Sequence, residues 1–227
     1  TVAPARASLQ GGMVRHRHAC IVLLLAGLDL SACGGEPGDA ALTERPGGSG
    51  PVVGTVRGEP RTFNHLLAGE NESVLVSRLT QAGLVRINRT TDEVEPWLAE
   101  GWTSAADGMT HTLTLRSGVT FADGEPFTSA DVLFTFEALY DEAVGSVLAD
   151  SLRFDGLPIA VEAPDEQTVV VHFPVPYSPG VRVLDSLPML PRHKLEPALR
   201  DGTLREAWGV TTRPSELTGM GPFVLES

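Results

Sequence analysis

The stretch from Glu95 to Asp141, EPWLAEGWTSAADGMTHTLTLRSGVTFADGEPFTSADVLFTFEALYD, constrains the fold more than any other part of the chain. Leu113 and Leu115 alternate with Thr112 and Thr114 between Thr110 and Arg116, the period-2 spacing of a half-buried strand. Trp102 stands on the arm before it, and Asp107-Gly108 between them supplies the positive-φ residue of a hairpin turn. Asp123-Gly124 reverses the chain again just before Pro126. Thr128-Ser-Ala-Asp131 then approaches the S/T-x-x-E capping pattern, with its acid in the first turn, where the helix dipole favours negative charge. The spacing predicts a helix over Ser129 to Tyr140. Val132, Phe136 and Leu139 fall on its core face, and Leu133 and Tyr140 widen that face.

The same residues carry a resemblance. Pro96-Trp97-Leu98-Ala99-Glu100-x-Trp102, Leu115-Arg116-x-Gly118-Val119-x-Phe121, and Asp123-Gly124-x-Pro126-Phe127-Thr128-x-x-Asp131-Val132 follow one another at spacings similar to the signature region of one receptor family. It is the peptide-binding class of ABC-transporter solute-binding proteins, which takes dipeptides, oligopeptides and nickel. The resemblance extends over Val52 to Leu225. It implies a mixed α/β fold, the first lobe of a two-lobed periplasmic-binding-protein-like (type II) architecture, incomplete at the C-terminus. It implies also a receptor without cofactor, monomeric, that captures a peptide between its lobes and hands it to a membrane permease. Nickel chelates and oligosaccharides are the alternative solutes within that family.

Before this region the chain has the layout of an exported protein. Arg15, His16, Arg17 and His18 form a basic segment, Ile21 to Leu28 a short apolar one, and Leu30-Ser31-Ala32-Cys33 supplies the small residues of a cleavage site. The apolar run falls short of the about 20 residues that span a bilayer. This order resembles a lipoprotein signal, which implies lipidation of Cys33 and a membrane anchor outside the cytoplasm. Met13 is then the expected start, with residues 1–32 an upstream extension and signal. Residues 33–50, rich in Gly, Pro, Ala, Ser and Glu, read as a flexible tether, and residues 51–227 as the lobe.

Along the lobe, Val52 to Arg57 is the first strand candidate. Val74, Leu75, Leu79 and Ala82 recur at helical spacing over Ser73 to Ala82, with Gly83 as the stop. Leu84 to Ile87 reads as a strand and Asn88 to Asp92 as a turn. Ala143 to Leu152 suggests another helix, with Val144, Val147 and Leu148 on one side. Ile159 to Glu162 and the β-branched run Thr168 to Phe173 form a hairpin through Pro164-Asp165-Glu166-Gln167. Pro174, Pro176 and Pro179 break the pattern before a short helix over Val181 to Leu187. Leu190-Pro191-Arg192-His193 precedes a further helix. Gly219-Met220-Gly221-Pro222-Phe223 resembles the family's crossing toward a second lobe.

The chemistry visible in the chain is mostly negative. There is no H-E-x-x-H, G-x-S-x-G or G-x-x-x-x-G-K-[ST] pattern, so a hydrolase, the competing class, lacks a nucleophile with a base at motif spacing. A sensor that shows its solute to a membrane receptor is the third class. His65, His111, His172 and His193 are too scattered for a metal site, and His111 and His172 are expected to face solvent. Net charge is −12, and sixteen of the seventeen basic residues are arginine, with no basic stripe, which excludes nucleic acid as a partner and leaves cationic solutes tolerable. The one stretch expected to touch a solute is Ala68-Gly69-Glu70-Asn71. Gly69 lets backbone approach closely, and in the family that the sequence resembles the matching loop lines the bound peptide. Gly69, Glu70 and Asn71 are the candidate ligand residues; the other reading of Asn71 is a cap for the following helix.

Overall fold

In the computed structural model, residues 57–226 are described; the expected signal, Cys33, the tether and all but Arg57 of the first strand candidate lie outside them. In chain order the elements are α1 (Asn71–Thr80), β1 (Val85–Ile87), β2 (Val94–Pro96), β3 (Ala99–Ser104), β4 (Thr110–Leu115) and α2 (Ser129–Tyr140). They continue as β5 (Arg153–Phe154), β6 (Leu157–Pro158), β7 (Ala160–Asp165), β8 (Thr168–His172) and α3 (Arg192–Arg200). Short 3-10 turns cover His65–Leu67, Asp150–Leu152, Gly180–Ser186 and Pro214–Glu216.

The centre is an antiparallel sheet in the order β3-β4-β8-β7. Leu113 faces Trp102 on one side and Val169 on the other, so one apolar row crosses three strands. Leu113, Val169 and Val171 are wholly buried. The hairpin between β3 and β4 closes as expected. The carboxylate of Asp107 accepts the Met109 and Thr110 N–H groups at 2.8 and 3.0 Å, and Gly108 takes φ 67°. Between β7 and β8 the turn tightens to Glu166 and Gln167, because Pro164 belongs to the edge strand, where a residue without an N–H is tolerated.

Helix α2 begins and ends where the spacing predicts. Asp131 Oδ2 accepts the Thr128 N–H at 2.9 Å to complete the capping box, and Oδ1 accepts the Arg192 N–H at 3.0 Å. One buried carboxylate thus starts two helices. Val132, Phe136 and Leu139 are buried as expected, and so are Phe134, Thr135 and Ala138. Leu133 does not widen the core face; it is exposed beside Glu137, four residues on, on the solvent stripe. Tyr140 donates its hydroxyl to the Leu152 carbonyl at 2.6 Å and accepts the Ile159 N–H at 3.0 Å.

Three local expectations are corrected. Helix α1 buries Ser73 and Ser77, while Leu75 and Leu79 are exposed. The physical reason is that the Ser73 hydroxyl accepts the Arg61 and Thr62 N–H groups at 3.1 and 3.2 Å, which draws the small polar stripe inward. Gly83 is not the stop of α1, which ends at Thr80 with Gln81 already extended. Gly83 instead bridges to Pro188 where a Cβ would lie 3.2 Å from the carbonyls of Leu184 and Leu187. Ala143 to Leu152 is no helix. Asp141 Oδ1 accepts the Ala143 and Val144 N–H groups, Gly145 turns to φ 60°, and only Asp150–Leu152 forms a 3-10 turn. Among the described residues no helix is long and apolar enough to cross a membrane.

Candidate functional site

The loop Ala68-Gly69-Glu70-Asn71 lies between the 3-10 turn His65–Leu67 and helix α1. Two contacts fix its entry. Asn64 takes the Leu66 N–H on its side-chain oxygen at 3.2 Å and donates its amide to the Leu204 carbonyl at 2.8 Å. The Leu66 carbonyl, in turn, accepts both the Val147 N–H and the Ser146 hydroxyl at 2.9 Å. The segment from Ala143 to Leu152, expected as a helix, is therefore strapped to the base of this loop, and Val147 stands 53% exposed beside it.

The three predicted site residues are adjacent but differently employed. Gly69 is exposed and its φ is not in the left-handed region; a Cβ there would meet only Val147 Cγ1 at 3.9 Å and the Leu67 carbonyl at 4.0 Å, ordinary contact distances. The fold itself does not require a glycine at this position. Glu70 is the N-cap residue of α1, so the alternative reading of Asn71 as the cap is corrected: Asn71 is the first helical residue, exposed. The Glu70 carboxylate accepts the Ser73 hydroxyl and, at 3.0 Å, the Arg61 N–H. These two bonds, the hydroxyl first, hold its pKa down to about 2, so the group stays charged.

Beside the loop is a cleft of about 330 Å³. Helix α1 contributes Val74, Ser77 and Arg78; β1 and its turn contribute Val85, Arg86 and Arg89; Trp97, Leu148 and Asp185 come from further along the chain. Ala68 and His65 form the end nearest the loop. Arg86 lies over the Trp97 ring at 4.4 Å from its centre and bonds Glu95 at 2.8 Å. His65 is buried, edge-on to Trp208 at 5.6 Å, and neither ring nitrogen has a partner. Burial alone pushes its pKa down to about 3, so the ring is neutral at physiological pH.

His111 and His172 belong to the central sheet. His111 does not face solvent; it shares strand parity with Leu113 and Leu115 and is buried, with Nδ1 2.8 Å from the Ser104 hydroxyl. His172, of the opposite parity, is half-buried. Among the described residues no group of three or more His, Cys, Asp or Glu is placed to hold a metal ion. The lining residues Arg78, Arg86 and Arg89 were not singled out by sequence. Arg78 lies on α1 and Arg86 and Arg89 on β1 and its turn, two elements that only folding brings to one cleft.

Residues 93–227 match the family described as bacterial extracellular solute-binding proteins, family 5 Middle. The periplasmic oligopeptide-binding protein OppA of Haemophilus influenzae is 30% identical over 184 residues, 74% of this chain and 32% of that protein. Its crystal structure in complex with RPPGFSPFR is similar with a TM-score of 0.61 at 26% identity, over 74% of this chain and 34% of that one. NikZ from Campylobacter jejuni in complex with Ni(L-His) gives 0.57 at 25% identity, over 74% and 31%. The chain spans about a third or less of the curated relatives it matches, with shares of 28%, 22% and 32%. The fold is accordingly the expected type II one, of which these residues supply one portion. The chain belongs to the bacterial extracellular solute-binding proteins, family 5.

Proposed function

We propose that the chain is part of the substrate-binding lipoprotein of an ABC importer, which captures short peptides outside the cytoplasmic membrane and delivers them to a permease. Membership of the family supports the class, and the relatives named for peptides support the solute. The observation that carries the reading is the loop at Gly69, which is exposed, is tied down at its base by the Leu66 carbonyl and, through Ala68, joins the lining of a cleft of about 330 Å³. A pocket of that size suits a small solute. The protein performs no covalent chemistry in this reading. Capture is a closure that the solute favours because it binds the closed state more tightly. Nickel chelates are the second reading, favoured by the likeness to NikZ.

In the proposed site Gly69, Glu70 and Asn71 meet the solute chiefly through backbone groups, since a receptor that accepts many peptides must hold what all peptides share. Cys33 is the proposed lipid attachment, with residues 1–32 removed, residues 33–50 a tether and residues 51–227 the lobe; the protein acts as a monomer. Three experiments test this. Mass spectrometry of the solute co-purified with the natural full-length protein is expected to show peptides of a few residues; a bound sugar or chelate and no peptide overturns the reading. Gly69→Val, whose Cβ meets only ordinary contacts, is expected to weaken titrated peptide about tenfold to a hundredfold by obstructing one or two hydrogen bonds, at an unchanged melting temperature. Wild-type affinity would place the cleft elsewhere. Detergent partitioning that is equal for the wild type and Cys33→Ala would remove the lipid anchor.

A further inference from the structure

The chain is acidic, with net charge −12, but the cleft beside the loop is not. Its lining carries Arg78, Arg86 and Arg89 against a single carboxylate, Asp185. That carboxylate is used up. Oδ1 accepts the Ile87 N–H at 2.8 Å and Oδ2 meets Arg89 at 3.3 Å. Arg86 is held by Glu95 at its edge and by Trp97 beneath its plane, which leaves the guanidinium flat and fixed. Arg78, exposed in the last turn of α1, has no acidic partner among the described residues. The walls between these cations are apolar, with Val74, Val85 and Leu148, and such walls concentrate the field of the charges they separate.

We propose that this cleft selects solutes by negative charge: a carboxylate of the solute pairs with Arg78, above the fixed Arg86–Trp97 shelf, so that acidic short peptides are the preferred class. This rests on the reading of the chain as a peptide receptor and reverses what the overall charge suggests. A guanidinium without a partner gives a carboxylate two parallel donors without first breaking a protein ion pair. Cationic peptides meet Arg78 with no free carboxylate beside it and are rejected.

The test is calorimetric titration of the full-length protein with tri-glutamate, tri-alanine, tri-lysine and citrate at low and high salt. Tri-glutamate is expected to bind about tenfold more tightly than tri-alanine, a preference that salt diminishes, and tri-lysine the most weakly. In Arg78→Gln the ratio of tri-glutamate to tri-alanine affinity is expected to fall by about fivefold to tenfold, and Arg78→Lys, which keeps the charge, to recover most of it. If tri-alanine binds and the ratio is the same in wild type and Arg78→Gln, the charge selection is wrong while the peptide receptor stands. Should no peptide bind but citrate bind in a manner that Arg78→Gln abolishes, the cleft is an anion site and the peptide reading falls. Failure of all four probes ends both.

Discussion

The sheet with α2 and the region around α1 are built on opposite terms. In the first, β4 is flanked by strands on both sides, Leu113 and Val169 share one buried row, and the buried polar groups of the helix are spoken for: Ser129 donates to the Asp165 carbonyl, and Thr135 both donates to Asp131 and accepts from Leu190. Unpartnered atoms there are confined to ring nitrogens of His111 and His172. In the second, α1 turns serines inward and leucines outward, and His65, Gln81 and Thr218 all keep buried polar atoms without a partner. Stability is unevenly distributed in such a chain, and the region with the weaker internal accounting is the one that borders the cleft. Under the proposed function, this arrangement separates the surface that would meet a solute from the one that holds the fold.

The sharpest way to break the comparison is to shorten one leucine in each region. Leu113→Ala empties a fully buried position in the row across three strands, and is expected to cost about 2–5 kcal/mol. Leu79→Ala, on a side chain 39% exposed, is expected to stay within about 0.5 kcal/mol. Urea unfolding of the full-length chain, followed by tryptophan fluorescence, reads both. Equal losses would mean that α1 is as much a part of the core as β4.

A second pair probes how the α1 region is held. Gly221 donates its N–H to the Thr80 carbonyl at 2.9 Å, and a Cβ there would stand 2.4 to 2.6 Å from backbone atoms of Leu79, Thr80 and Gln81. Backbone cannot swing aside as a side chain can, so Gly221→Ala is expected to cost about 1–3 kcal/mol by forcing the crossing off the helix end. Gly69→Ala, with its nearest neighbour at 3.9 Å, is expected to be neutral in the same melt. A neutral Gly221→Ala would show that the crossing is not docked on α1.

This contrast also explains which parts of the chain could be read without coordinates. Helix α2 was legible to the residue because periodicity, the Thr128–Asp131 capping box and the preceding Asp123-Gly124 turn all agree. Helix α1 was legible as a helix but not in its orientation, since its apolar residues point one way and a hydrogen bond to Ser73 draws it the other. Residues 143–152 had helical spacing, but the Asp141 side chain offers its neighbours' N–H groups a local alternative, and Gly145 takes a conformation that ends a helix. His111 was readable by parity alone, being in phase with Leu113 and Leu115. At the candidate site the loop is assigned through its resemblance alone. The charge of the cleft was not legible, because Arg78 on α1 and Asp185, far along the chain, join Arg86 and Arg89 only on folding.

The smallest effect expected is a pH slope, and it isolates the α1 region from the sheet. His65 has a folded pKa of about 3, lowered by burial, against about 6.5 for an exposed histidine. Well above pH 6.5 both folded and unfolded chains hold the ring neutral, and it contributes no pH dependence. As pH falls below 6.5 the unfolded chain takes up a proton that the folded chain refuses, so stability is lost progressively toward pH 3. Between pH 7 and pH 6 the loss from this one group is about 0.7 kcal/mol, and its limiting slope is about 1.4 kcal/mol per pH unit. His111, also lowered chiefly by burial and partly offset by Asp107, adds a contribution of the same sign from the sheet. His65→Phe keeps an aromatic ring against Trp208 and removes the titration, so its urea midpoint should decline less between pH 7 and pH 6 than that of the wild type, the residue of the slope belonging to His111. If the two proteins lose stability in parallel over that interval, His65 is protonated in the folded chain. The α1 region would then be open to water on the side where it packs against Trp208.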